Sequence, residues 1–422
     1  YHSMGIAYTI VFYIFVFLAV YAQVFLLVTF FEKRKKIVKH SNDLDLDYYP
    51  TVTVTIPCYN EEKTLEDTVN SLLELDYPKD KLTFFLVNDG STDNTLEVMK
   101  QWENNPNIKI FDKKNGGKHT ALNVGLENTT AEFFACLDAD SFVHPQSLKR
   151  MMSYFQNDIH TMAVAPSIIV HNPKNILQVA QKVDYDMAIY TKKMLGFMGG
   201  IHVTPGPFSV FRKKVFDDLG HYTKAHNTED QEIALRMQEH RYKIDHCPDA
   251  YVYTVSPNSV MKLYRQRQRW IYGFIKNLID YRRLLFRKKY GAVAIFTLPL
   301  GIVSVLGVIL LFFTVIYNLI TFIYHKIIQI QTVGINSSTT GFEFNWFFLN
   351  TKSTLFLIIL LYILVVISSI IGRKLASEKR WFSFTVLYFV IIYRIIAPFW
   401  MLKAIYNAIL SKEESWTLER RT

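Results

Sequence analysis

An almost uninterrupted apolar run from about Tyr8 to Phe31 opens the chain and stops at Glu32-Lys33-Arg34-Lys35-Lys36. About 20 such residues cross a bilayer as a helix, so a span is expected here. The run is longer than a signal-peptide core, and no small-residue cleavage site follows it. Tyr1-His2-Ser3 ahead of Met4 reads as an expression remnant. From Asp43 to about Ser256 the pattern changes to short β-rich runs, Thr51–Ile56, Thr83–Val87 and Phe133–Leu137, each ending in polar or turn-forming residues. Helical periodicity fills the gaps, over Glu61–Leu75 and Thr92–Trp102. Strands alternating with helices predict a mostly parallel sheet with its ligand beyond the carboxyl ends of the strands. Asn258–Lys289, rich in Arg, Tyr, Trp and Leu, predicts one or two amphipathic helices at a membrane surface. Two further spans are expected at Ala292–Tyr324 and Thr354–Gly372, joined by a polar loop around Gln329–Lys352 that holds the sequon Asn336-Ser337-Ser338. A third run, Trp381–Leu402, carries Arg394 and Pro398 and is compatible with crossing, re-entering or lying in the interface.

These boundaries divide the chain into an N-terminal span and basic linker (1–42), a catalytic domain (43–256), interfacial helices (257–290) and a C-terminal membrane region (291–422). Composition agrees: 50% of the 422 residues are hydrophobic, and the mean hydropathy of +0.11 exceeds that of an ordinary soluble enzyme. The net charge of +10 could suggest nucleic acid. Its clusters, however, lie beside the apolar runs, at Lys33–Lys36, Arg282-Arg283, Arg287–Lys289 and Arg373-Lys374, as in loops facing the cytoplasm and an anionic leaflet. No nucleic-acid module is visible, and no nucleic-acid partner is expected. Cys58, Cys136 and Cys247 are scattered, odd in number and without metal-ligand spacing, which predicts buried thiols in a reducing compartment.

The candidate chemistry sits at strand ends and helix starts. Pro57-Cys58-Tyr59-Asn60-Glu61 puts an aromatic ring and a carboxylate where a nucleobase could stack, although a strand end followed by a helix cap reads the same way. Val87-Asn88-Asp89-Gly90-Ser91-Thr92-Asp93 presents Asp89 on a glycine turn before a capped helix. Asn115-Gly116-Gly117-Lys118 allows backbone to approach a ligand and supplies a cation for phosphate, but lacks the spacing of a P-loop. In Leu137-Asp138-Ala139-Asp140-Ser141 strand alternation points both carboxylates one way, which suits a hard divalent cation bridging a diphosphate. Thr228-Glu229-Asp230 opens an amphipathic helix; its acids are either caps or a general base for an acceptor hydroxyl. Gln266-Arg267-Gln268-Arg269-Trp270 places Gln266, Arg269 and Trp270 on one helical face, able to stack on sugar and bind phosphate or to act as an interfacial anchor.

Taken in order over roughly Thr51–Gly273, these motifs resemble the processive branch of family 2 glycosyltransferases, the group of cellulose, chitin, hyaluronan and poly-N-acetylglucosamine synthases. The resemblance implies a GT-A fold, an α/β nucleotide-binding domain with a Rossmann-like mixed sheet, accompanied by transmembrane and interfacial helices. It implies donor-nucleotide contacts from Tyr59, Glu61, Asp89, Lys118 and Asp138, and Mg²⁺ or Mn²⁺ on Asp140 with Asp138. Asp230 would be the base, with Glu229 beside it. Gln266, Arg269 and Trp270 would cover the diphosphate and hold the acceptor, with Gly206-Pro207-Phe208 as an acceptor-side loop.

The implied enzyme is an integral plasma-membrane protein with a cytoplasmic catalytic domain. It would move sugar from a nucleotide-sugar donor, UDP-GlcNAc or UDP-glucose, to a β-linked polysaccharide, oligosaccharide or lipid-linked acceptor. The alternative is non-processive transfer of one sugar to a lipid or lipid-linked acceptor, which Gln266-x-x-Arg269-Trp270 disfavours. A catalytically silent receptor or transporter subunit would also share the fold, but every acid the chemistry needs is present. There is one N-terminal span where some synthases have two, and few C-terminal spans. A channel of so few helices implies a homo-oligomer or an unusual pore.

Overall fold

The computed structural model describes residues 2–38, 40, 44–333, 353–376 and 384–412. Helix α1 (His2–Lys33) is the first apolar run. The α/β domain follows as β1 (Val52–Cys58), α2 (Leu65–Leu73), β2 (Leu82–Asp89), α3 (Thr95–Lys100), β3 (Ile108–Lys113), α4 (Lys118–Asn128), β4 (Phe133–Cys136), β5 (Ser141–Val143), α5 (Ser147–Asn157), β6 (Thr161–Val170), α6 (Ile176–Met198), β7 (Val210–Arg212), α7 (Lys214–Leu219), α8 (Glu229–Glu239) and β8 (Lys243–Thr254). Then come α9 (Val260–Asp280), α10 (Leu298–Val333), α11 (Ser353–Leu375) and α12 (Thr385–Ile409).

The strands form one sheet in the order β3-β2-β1-β4-β7-β6-β8-β5. β1 lies between β2 and β4, parallel to both, and every residue of β1 is buried. That double burial covers Thr53 and Thr55 on one face as fully as Val52, Val54 and Ile56 on the other, which suits an all-β-branched run. β7 and β5 pair antiparallel with their neighbours, so the sheet is mixed. Chain order reverses at β1, with β2 on one side and β4 on the other, and a ligand crevice is expected at such a switch point. Two apolar cores cover the faces. One holds Val54, Ile56, Leu65, Leu72 and Met151; the other holds Phe134, Ile189, Tyr190, Phe211 and Ile233. Each fully buried aliphatic or aromatic side chain is worth about 1.5–3 kcal/mol.

Among the described residues four helices are long and apolar enough to cross a membrane: Ile10–Lys36, Val293–Thr332, Leu355–Leu375 and Thr385–Ile409. The third C-terminal run is therefore one continuous helix, α12, with Pro398 inside it. The guanidinium of Arg394 lies 4.6 Å from the ring centroid of Tyr362 on α11, so this mid-helix charge has a protein face to rest on. α10 reaches Val333, beyond the expected end near Tyr324. The sequon and the loop around it lie outside the described residues.

The membrane helices grip the α/β domain through α6 and α9. α6 is capped by the side chain of Asn175, which accepts from the Gln178 N–H at 2.9 Å, and is ended by left-handed Gly199 (φ 68°). Gly372 of α11 sits so close to α6 that a Cβ there would lie 1.9 Å from the Asp186 carbonyl oxygen. α6 thus belongs to both regions, although its sequence falls within 43–256.

Candidate active site

A cavity of about 1560 Å³ opens at the carboxyl ends of the strands and continues to α10 and α12, where Ser304 and Met401 line it. The end where a nucleotide is expected is built by turns that hydrogen-bond to one another. Asn60, in left-handed conformation (φ 57°), donates its N–H to Ser91 Oγ at 3.0 Å and accepts the Thr92 N–H on Oδ1 at 2.8 Å. The Glu61 N–H donates to Thr95 Oγ1 at 2.8 Å. Glu61 lines the cavity; Tyr59 is half-buried and is not among the lining residues. Asp89 is buried and also absent from the lining. Its carboxylate accepts the N–H groups of Gly116 and Gly117 at 2.9 Å each and pairs with Lys113 at 2.6 Å. Asp89 thereby fixes the glycine pair that starts α4.

The first residue of α4, Lys118, points into the cavity and pairs with Asp138 at 2.6 Å and Glu229 at 3.4 Å. Burial works against its charge, but Asp138 and Glu229 outweigh it and hold the ammonium above its ordinary range. β4 ends at Cys136, so Asp138 and Asp140 sit in a turn and not on alternating strand positions. Both still line the cavity. Two carboxylates are the oxygen donor set a hard cation prefers, with its remaining positions left for phosphate and water, so Asp140 and Asp138 fit Mg²⁺ or Mn²⁺. Gly206 completes this wall: a Cβ there would lie 2.7 Å from Lys118 Nζ and 3.1 Å from Asp138 Oδ2, so any larger side chain would displace the pair. Pro207 lines the cavity, whereas Phe208 is fully buried in the core beneath it.

Glu229 and Asp230 open α8. The Asp230 carbonyl accepts both the N–H (3.2 Å) and the hydroxyl (2.9 Å) of Thr204. Its half-buried carboxyl is pushed up to about 6, first by burial and then by neighbouring Glu229, with Lys118 partly opposing. A carboxyl poised near neutrality inside a cleft is suited to accept a proton. The three residues ahead of Thr228, Ala225, His226 and Asn227, all have left-handed backbone (φ 41°, 55° and 60°).

α9 clamps that segment along one face. Arg269 Nη1 donates to the Asn227 carbonyl at 3.1 Å, Asn277 Nδ2 donates to Thr228 Oγ1 at 2.9 Å, and Asp280 pairs with His226 Nε2 at 2.9 Å. Gln266, Arg269 and Trp270 line the cavity together, as their spacing predicted. The Gln266 amide oxygen is buried without a hydrogen-bond partner among the described residues, a state that usually marks a place for water or ligand.

Sequence reasoning passed over Arg267, which pairs with Asp184 of α6 at 2.6 Å, lies 4.6 Å from the Trp270 ring centroid and donates to the Tyr393 hydroxyl of α12 at 3.2 Å. It also passed over Asn277 and the cavity residues Lys192 and His202. Arg267 lies inside the Gln266–Trp270 motif but off the face that Gln266, Arg269 and Trp270 share, and Lys192, His202 and Asn277 belong to no short motif; the helical spacing of Arg269, Gly273 and Asn277 was the signal for Asn277.

Residues 53–220 match the family model of glycosyl transferase family 2. This stretch is a family 2 glycosyltransferase domain. Over 224 residues the chain is 31% identical to the poly-beta-1,6-N-acetyl-D-glucosamine synthase of Staphylococcus epidermidis, covering 53% of this chain and 54% of the relative. It is 32% identical over 233 residues to the enzyme of that name from Staphylococcus aureus strain COL, covering 55% and 56%. The chain thus spans about half the length of the curated relatives it matches. Among solved structures, a mannosyltransferase of Pyrobaculum calidifontis in complex with GDP-Man and Mn²⁺ aligns with a TM-score of 0.57 at 16% identity, covering 94% of this chain and all of that one. The glycosyltransferase domain has the GT-A fold, and four apolar helices of membrane-spanning length accompany it.

Proposed function

We propose that this chain is a membrane-embedded, inverting glycosyltransferase that moves a sugar, N-acetylglucosamine in the first instance, from its UDP donor to the end of a growing β-linked polysaccharide. The observation that carries this reading is the convergence on one cavity of Asp230, the Asp138–Asp140 pair with Lys118, and Gln266, Arg269 and Trp270. The names of the relatives support the choice of sugar and of a polymeric product.

In this mechanism Asp230 takes the proton of an acceptor hydroxyl. The hydroxyl oxygen forms its bond to the anomeric carbon as the bond from that carbon to the diphosphate breaks, so an α-linked donor yields a β product. Asp140 and Asp138 would hold a divalent cation, which would supply positive charge for the diphosphate. Arg269 supplies further positive charge there, and Trp270 offers a face for a sugar ring. Tyr59, Glu61 and Asp89 organise the nucleotide end, Glu61 from the cavity wall and Asp89 from behind it. The basic residues after α1 support a cytoplasmic glycosyltransferase domain at the plasma membrane, and the extension of the cavity to α10 and α12 supports export coupled to elongation, in a homo-oligomer where one chain's helices do not suffice.

The test is to offer the purified protein in nanodiscs, with Mn²⁺ or Mg²⁺, a panel of UDP- and GDP-sugars, following nucleoside diphosphate and sizing the product. Release from UDP-GlcNAc with a lengthening polymer is expected. A single added sugar on lipid would replace the polymer by a glycolipid, and no release from any donor would overturn the reading.

A further inference from the structure

α6 carries two adjacent lysines with opposite circumstances. Lys193 is buried and fully engaged: its ammonium reaches Asp245 at 3.1 Å, the His246 carbonyl at 2.8 Å and the Tyr154 hydroxyl at 3.3 Å. Lys192 turns the other way. With Tyr185, Ala188 and Ile189 it forms the strip of α6 that lines the cavity, at the spacing of one helical face. Among the described residues its ammonium has no ion pair and no hydrogen bond. The titratable groups around it come from three other elements: Asp230 on α8, His202 on the segment after α6 and His246 on β8. Burial first, then Lys192 itself, holds both imidazoles neutral, His202 at about 4. Asp230 is thus the counter-charge to Lys192 among the described residues. Burial lowers Lys192 to about 8, with Asp230 opposing, which leaves it mostly protonated at neutral pH.

A half-buried ammonium without a partner is costly unless something arriving in the cavity pairs with it. The diphosphate end already has Lys118 and Arg269, whereas Lys192 and His202 stand beside the base. We propose that Lys192 is an acceptor-binding residue, donating hydrogen bonds to hydroxyl or carbonyl oxygens of the acceptor's terminal sugar and so turning its attacking hydroxyl toward Asp230. This inference rests on the reading of Asp230 as the base. It carries a specificity: a terminal sugar that is neutral is accepted, and one that bears a free ammonium is repelled.

The experiment uses the full chain in nanodiscs with UDP-GlcNAc and short N-acetylglucosamine oligosaccharides. Loss of a charged hydrogen bond in Lys192→Met is expected to raise the acceptor KM about tenfold or more, with Lys192→Arg recovering part of it. UDP affinity, read by calorimetry, should stay within about twofold of wild type, because Lys118, Arg269 and the Asp138–Asp140 pair are untouched. The same oligosaccharide ended by glucosamine should be a poor acceptor for wild type, and Lys192→Met should narrow that gap. Calorimetric titration of oligosaccharide into the UDP-loaded protein reads the contact without turnover, with the same rise expected in Kd. An unchanged acceptor KM and Kd in Lys192→Met, or an equal loss of UDP affinity, would overturn the assignment. Wild-type protein that releases UDP from no donor defeats instead the enzymatic reading beneath it, and the titration still decides whether Lys192 touches the oligosaccharide.

Discussion

The two ends of the cavity are built on different principles. The nucleotide end holds itself together: Asn60 with Ser91 and Thr92, Glu61 with Thr95, and Asp89 with the Gly116-Gly117 turn are bonds between strand ends of a single sheet. The other end is laced between elements far apart in the chain, as in Arg269 with Asn227, Asn277 with Thr228 and Asp280 with His226. Its wall is α6, its clamp α9, and the pair Asp184–Arg267 joining them is met by Tyr393 from a membrane helix. With one end laced within the sheet and the other assembled by α6, α9 and α12, substitutions are expected to separate nucleotide binding from transfer, on the function proposed above.

The largest separation is expected at the junction. Asp230→Asn removes the base without changing shape, and should lower transfer by about 10²–10⁴-fold while UDP affinity, measured by calorimetry, is preserved. The same group sets a pH limb. Its carboxyl is protonated below about 6 and then accepts no proton, so kcat/KM should fall tenfold per pH unit below that point; a profile flat down to pH 5 would remove Asp230 from the role. Next in size, Asp140→Asn should weaken UDP binding about 100-fold in Mn²⁺ and little in chelator, since several kcal/mol of charge stabilisation depend on the cation. Equal affinity in both conditions would break the metal assignment.

A smaller effect is expected on the acceptor side. Arg267→Lys keeps the charge but loses the planar fork that meets Asp184, Tyr393 and Trp270 together; kcat should drop about tenfold with donor affinity intact. A matched loss of donor affinity would show the halves to be one unit. The smallest effect on activity should come from the linker latch, where His40 Nδ1 pairs with Asp249 at 3.1 Å and Nε2 meets Ser153 Oγ at 2.7 Å. His40→Ala should cost about 1–3 kcal/mol of stability, read as a lower unfolding temperature, and leave the kinetics alone.

The same division explains what could be read from the chain. Asp89, Lys118, Asp138 and Asp230 sit in contiguous motifs because a strand end and the helix after it are contiguous in sequence, and β-rich runs announce where each strand stops. Even there alternation misled in detail, since β4 ends before Asp138 and it is the turn that sets both carboxylates on the cavity. Asp89, expected at the nucleotide, also braces the glycine pair ahead of Lys118, which its motif did not reveal. On the other side Gln266, Arg269 and Trp270 were legible as one helical face, but their neighbours on α6 and α12, Asp184, Lys192 and Tyr393, stayed hidden because they lie far apart in the chain. Lys192 and Lys193 are identical letters whose roles differ by about 100° of helical rotation. Arg394 looked like a reason to doubt a span until Tyr362 was seen beneath it.

The contact of Gly372 with the Asp186 carbonyl bears on how separable the two regions of the chain are. Backbone against backbone at that range leaves room for neither lipid nor water, and Arg373 beside it reaches the buried Asp186 carboxylate at 3.8 Å. A fragment cut after Ser256 would lay bare both that groove and the carboxylate, and lose α9 as well. The glycosyltransferase domain is therefore no cassette to be lifted from its anchor: the bilayer-crossing helices are part of its scaffold, and its chemistry is best sought with the lipid left on.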